Sequence, residues 1–153
     1  MDKTAFIYGA IFSLANRMQT IGDKIDPDIS VKQWFVLAVV SKFSQAPPNI
    51  GDVAGILGTS RQNIKKIAKI LERKGYMQLQ KDPDDLRNIQ LLLTNRCYAY
   101  FKRREKQDNE YLGRIFSGID DEMLSTLCLG MSKLVENTDR LIADHEKAAQ
   151  GVN

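Results

Sequence analysis

The sequence is poor in the residues from which catalytic and metal centres are built. It has one histidine, His145, and two cysteines, Cys97 and Cys128, with no CxxC spacing between them. That excludes a recognisable zinc site and a disulfide framework. There is no glycine-rich phosphate loop and no nucleophile motif, so nothing reads as an enzyme active site, and no cofactor or metal is expected. Two buried thiols are the plain reading of the cysteines; a redox-sensing pair is the sharper alternative. Long apolar runs are missing too, and none approaches the ~20 residues needed to cross a bilayer. The opening stretch, MDKTAFIYGAIFSLANRMQT, carries an acid at Asp2 and an amphipathic period in place of a basic segment followed by a continuous apolar one. The expectation is a cytoplasmic protein.

What is present fits one globular domain of 153 residues, 43% hydrophobic and 27% charged. Ile7, Ile11, Leu14, Met18 and Ile21 recur at helical spacing and predict a first helix ending near Asp26-Pro27. Ser30 can cap a second helix whose apolar body is Phe35 to Val40, and Asn49 a short third helix carrying Ile50, Val53, Ile56 and Leu57. Gly58 supplies a two-residue turn before Ser60 caps a fourth. Tyr76 to Gln80 and Asn88 to Leu93 then alternate as strands around the turn Asp82-Pro83-Asp84-Asp85. Thr94 caps a long helix that ends about Gly118, and Asp120 opens a last one with Met123, Leu127, Met131, Leu134, Leu141 and Ile142 in helical register. Only Gln150 to Asn153 reads as frayed.

The fold class that follows is mainly α: a helix-turn-helix with a two-stranded hairpin as its wing, flanked by helices at both ends. The winged lobe spans 30–94 of the single chain 1–153. The helical regions 4–25 and 95–149 carry more apolar surface than a small lobe needs, which predicts a homodimer packed through Ile7, Ile11, Leu14, Leu127, Met131 and Leu134.

The segment GTSRQNIKKIAKILERKGY points to a partner. Between Ser60 and Lys106 there are thirteen Lys and Arg against five acids, an excess of +8 that leaves the rest of the chain at −5 although the whole is only +3. Ile64, Ile67, Ala68 and Leu71 must face the core. Ser60, Arg61, Gln62, Asn63, Lys65, Lys66, Lys69 and Arg73 are left to face outward, a set that suits a DNA duplex: cations for phosphates, and Arg, Gln and Asn for base edges. On the wing, Lys81, Asp85 and Arg87 are candidates. An Asp85 carboxylate orienting the Arg87 guanidinium would aim it at the minor groove. Tyr8, Phe12, Trp34 and Tyr111 can line an aromatic effector pocket, or serve the core.

The run from Ile29 to about Thr94 resembles the multiple-antibiotic-resistance regulator (MarR) family. The stretches that carry the likeness are ISVKQWFVL, NIGDVAGILGTSRQNIKKIAKILERKGYM and DPDDLRNIQLLLT, the last holding Asp85, Arg87, Leu93 and Thr94 in the family's wing pattern. Cys97 stands where the family often has glycine, and Leu86 where the wing commonly carries a base. The resemblance implies a homodimeric, ligand-responsive regulator, a repressor, that reads a pseudo-palindromic operator in double-stranded DNA and senses a small aromatic or anionic effector. A winged-helix interaction module without DNA binding is the alternative, and a thiol-responsive regulator another. The redox members carry their reactive cysteine near the N-terminus, and the first 96 residues here contain none.

Overall fold

The computed structural model describes residues 2–83 and 85–150. Asp84 of the expected wing turn, and residues 151–153 of the expected frayed end, lie outside the described residues. The element order is α1 (Lys3–Ile25), α2 (Val31–Val40), α3 (Ile50–Ile56), α4 (Arg61–Arg73), β1 (Met77–Lys81), β2 (Ile89–Leu93), α5 (Asn95–Ile115) and α6 (Asp121–Gln150). The expected strand starts at Tyr76 and Asn88 each move one residue inward. The fifth helix stops at Ile115, and Gly118 takes a left-handed φ of 80° in the turn beyond it.

Each predicted cap is made. The Ser30 hydroxyl accepts from the Gln33 N–H at 3.3 Å, and the Asn49 side-chain oxygen from the Gly51 and Asp52 N–H at 2.7 and 3.0 Å. Ser60, Thr94 and Asp120 do the same for Asn63, Cys97 and Met123. These contacts satisfy N–H groups that the first helical turn cannot pair internally. Gly58 and Gly75 end α3 and α4 at φ 60° and 77°, with Thr59 N–H donating to Ala54 C=O and Tyr76 N–H to Leu71 C=O. This is the two-bond closure that a left-handed residue after a helix permits.

The chain divides into two compact units, Met1–Arg104 and Glu105–Asn153. In the first, Val36, Leu37 and Val40 of α2, Val53 of α3, Ile64, Ala68 and Leu71 of α4, and Met77 and Leu91 of the hairpin form one buried core with Ile29, Cys97 and Tyr100. Ile56, one of the apolar residues the third helix carries, is 59% exposed, because the seven-residue α3 buries only the side bearing Ile50, Val53 and Ala54. In the hairpin, Leu79 faces Leu91 in an antiparallel register that runs from Met77↔Leu93 to Lys81↔Ile89. The Leu79 N–H reaches the Glu72 carboxylate at 3.1 Å and the Leu91 N–H reaches the Pro48 carbonyl at 2.9 Å. The wing is thereby fastened to α4 on one edge and to the lead-in of α3 on the other, where Asn49 also bridges Gln90.

The second unit holds the end of α5 and the 30-residue α6. Leu127, Met131 and Leu134, expected at a dimer seam, are exposed in the single chain, as are Leu129, Val135, Leu141 and Ile142. In the first unit Ile7 and Leu14 of α1 are also exposed, and α1 has no buried residue. Among the described residues, no helix is long and apolar enough to cross a membrane.

Candidate nucleic-acid interface

Helix α4 is amphipathic in the way the sequence requires. Ile64, Ile67, Ala68 and Leu71 are buried, and Ser60, Arg61, Gln62, Asn63, Lys65, Lys66, Lys69 and Arg73 are all exposed. At about 100° per residue, Gln62, Lys66, Lys69 and Arg73 fall on one line opposite the buried side. Lys65 stands on one flank. Arg61, three before Ile64 and seven before Ala68, stands on the row next to the core. Its guanidinium leans toward α3: Nε and Nη2 lie 3.2 Å from where a Cβ on Gly51 would be. Asn63 is partly occupied at the helix start, its amide donating to Thr59 Oγ1 at 3.0 Å.

Among the described residues, no ion pair neutralises Arg61, Lys65, Lys66, Lys69, Arg73, Lys81 or Arg87. The two charges of this segment that are engaged have structural work. Glu72 holds the wing through Leu79, and Lys74 Nζ donates to the Asp28 carbonyl and to Gln33 Oε1, tying the end of α4 to the start of α2. Glu72 and Lys74 are thus turned to internal contacts while the other cations of the segment face solvent.

At the wing, Lys81, Asp85, Leu86 and Arg87 are exposed. The expected Asp85–Arg87 side-chain pair is not formed. The Asp85 carboxylate accepts instead from the Arg87 backbone N–H at 3.0 Å and from Asn88 Nδ2 at 3.1 Å, while the Asp85 carbonyl accepts from the Asn88 N–H at 2.8 Å. A short carboxylate two residues before an amide closes a local turn more readily than it reaches a guanidinium on a long stem. Asp85 therefore shapes the wing tip, and Arg87 is left free to extend.

The four proposed pocket aromatics lie on three elements, α1, α2 and α5. Tyr8 and Phe12 stack edge-to-face on exposed α1 with centroids 5.1 Å apart, and Trp34 packs against the core beside Phe35, centroids 5.3 Å apart, with its Nε1 buried and without a hydrogen-bond partner. Tyr111 belongs to the second unit. The cysteines also differ from the plain reading. Cys97 is fully buried, and burial pushes its thiol up to about 11, but Cys128 is exposed. A thiol that stays protonated at neutral pH is a poor nucleophile and a poor sensor.

Sequence reasoning missed one polar junction of the lobe. The Asp26 carboxylate, at the end of α1, accepts from the Asp28 and Ile29 N–H groups at 2.9 and 3.1 Å, from the Tyr100 hydroxyl at 2.7 Å and from Arg104 Nη1 at 2.5 Å. Burial alone would raise the Asp26 pKa. The Tyr100 hydroxyl, the two backbone N–H groups and the Arg104 charge together outweigh it and hold the carboxyl below its usual range.

A short helix closed by a left-handed glycine, a second helix with an unpaired cationic face, and a hairpin fastened to both make up a winged helix-turn-helix. Residues 29–89 match the model of the MarR family. Over that stretch the chain is similar to the MarR family, and its fold is a winged helix-turn-helix. No curated protein sequence matches it. Among solved structures the MarR fold recurs over nearly the whole chain. The MarR/EmrR family transcriptional regulator of Acinetobacter sp. ADP1 superposes at a TM-score of 0.79 with 18% identity, covering 92% of this chain and 99% of the other. The S. aureus MepR–DNA complex does so at 0.73 with 17% identity (90% and 99%). CouR from Rhodococcus jostii RHA1, bound to p-coumaroyl-CoA, does so at 0.72 with 19% identity (88% and 92%). At these identities the structures establish a shared fold. Among the described residues, no group of three or more His, Cys, Asp or Glu is placed to hold a metal ion.

Proposed function

We propose that the chain is a homodimeric repressor that binds a pseudo-palindromic operator, with α4 in the major groove and Arg87 of the wing in the minor groove. One observation carries this reading: the line Gln62, Lys66, Lys69 and Arg73 is exposed to solvent on a helix whose opposite side is buried in the core. Surface cations without acidic partners favour a polyanion, and an amide among them supplies base-edge hydrogen bonds. That the likeness extends to a protein solved in complex with DNA supports the reading.

The homodimer is supported by the apolar side chains left uncovered on α1 and α6, since contiguous exposed patches of that kind mark association surfaces. A two-fold dimer places its recognition helices about one helical turn of DNA (~34–36 Å) apart. An effector that binds the DNA-incompetent spacing more tightly would release the operator, by no more than that difference in affinity. The effector is an aromatic or anionic small molecule, and Tyr8, Phe12 and Trp34 are the side chains to test. The likeness to a protein solved with p-coumaroyl-CoA supports this class of ligand. Thiol signalling is not supported at Cys97.

The test is selection of duplexes from a random pool by the full chain. Recovery of an inverted repeat with half-site centres about 10 bp apart is the expected result. Recovery of no preferred duplex at low salt would leave a winged helix that meets a protein instead.

A further inference from the structure

We infer that Gly51 is a positioning residue for DNA binding: by lacking a side chain it lets Arg61 lie across the first turn of α3, which presets the guanidinium for a phosphate rather than a base edge. This rests on the DNA-binding reading above.

Glycine is the poorest helix former after proline, and Gly51 occupies the second position of a helix only seven residues long. Nothing in the backbone asks for it there. Its φ is not positive, unlike those of Gly58, Gly75 and Gly118. The three nearest atoms that an added Cβ would meet beyond the helix's own backbone all belong to side chains: Asn49 Oδ1 at 3.0 Å and Nε and Nη2 of Arg61 at 3.2 Å. Asn49 Oδ1 is itself committed to capping α3, accepting from Gly51 and Asp52. The space above Gly51 is therefore shared between a cap and the Arg61 fork, and a methyl group there forces one of them to give way. The cap is anchored by two short hydrogen bonds and the arginine has no ion-pair partner among the described residues, so the arginine is the one displaced.

The direction of the lean decides the role. In a helix-turn-helix the first helix crosses the DNA backbone while the outward line of the second reads bases. Arg61 leaves that outward line and joins α3. Gln62, on the line, keeps the base-reading position.

The experiment uses the full chain, a duplex that the wild type recovers from a random pool, and single-base variants of that duplex, with anisotropy followed across salt concentration. Arg61→Ala should weaken all the duplexes by a common factor of roughly ten or more, and lower the salt slope by about one for each phosphate no longer held. Gly51→Ala should melt at or above the wild-type temperature and reproduce the same uniform loss and slope. The double variant Gly51→Ala/Arg61→Ala should bind no more weakly than Arg61→Ala. Wild-type affinity in Gly51→Ala, or losses that multiply in the double variant, would overturn the inference. So would an Arg61→Ala phenotype confined to one base position, and that comparison leaves the Gly51 backbone untouched, so it decides even where Gly51→Ala fails to fold. A wild type that prefers no duplex fails the DNA-binding reading itself, whereas a wild type that binds and ignores Gly51→Ala fails this inference alone.

Discussion

Replacing Asp26 with Asn changes one atom and reverses half of a hydrogen-bonded cluster. One carboxylate oxygen can survive as the amide oxygen, keeping the Asp28 and Ile29 N–H groups at 2.9 and 3.1 Å. The other becomes an NH2 group that faces two donors, the Tyr100 hydroxyl and Arg104 Nη1, which now lie at 2.7 and 2.5 Å. The Asp26 and Arg104 side chains are 11% and 13% exposed, so little water is at hand to compensate. Breaking a fully buried pair costs about 3–5 kcal/mol; this slightly exposed one should cost about 3. At ~2–4 °C per kcal/mol for a chain of this size, Asp26→Asn should melt ~6–12 °C below wild type at pH 7, followed by circular dichroism. The pH dependence adds a second check. Because the folded Asp26 pKa is held low, its contribution is fully present above the unfolded carboxylate value of about 3.9 and is lost as pH falls through the folded value. The gap between wild type and variant should therefore stay constant from pH 7 to about 5 and close on further acidification. Equal melting temperatures at pH 7, or a gap that ignores acid, would refute the assignment.

Further outcomes can be checked by binding and labelling. Lys69→Ala should weaken every duplex alike and flatten the salt dependence, whereas Gln62→Ala should relax preference at one position per half-site by about 1–3 kcal/mol, both read from competition titrations against single-base variants. Arg87→Ala should lose affinity chiefly on A·T-rich flanks, where the minor groove is narrow; equal loss on G·C-rich flanks would remove the wing tip from the minor groove. In a Cys128→Ser background, Cys97 should resist a thiol reagent at pH 8 until the chain is denatured, because its folded pKa is about 11. Rapid labelling of the folded variant would show that the core around Cys97 opens.

The caps and the buried side of α4 were legible because they depend on neighbours. A Ser60 hydroxyl needs only the Asn63 amide three residues on, and the Ile64, Ile67, Ala68, Leu71 spacing fixes a face by geometry alone. The Asp26 cluster was not, since its partners stand 74 and 78 residues away and no local pattern announces them. Asp85 shows the same limit at short range. The sequence places it two residues from Arg87, but whether it holds the guanidinium or the backbone depends on the turn geometry, and the backbone wins. Arg61 belongs with the outward cations by charge, yet its row on the helix and the missing side chain at Gly51 draw it toward α3. Exposure of Ile56 and Cys128 escaped for a third reason: periodicity marks apolar faces without saying which of them the single chain itself covers.

The central claim is that the unpaired cations of α4 and the wing, doubled by a second copy, grip a duplex. Its most direct test is the affinity for the selected duplex between 50 and 200 mM salt, with stoichiometry taken from the same titration. Two chains per duplex and a loss of about 10³–10⁵ in affinity over that range are predicted, as 6–10 phosphate contacts shared between two copies require. Binding that ignores salt, or one chain per duplex at saturation, would contradict the account.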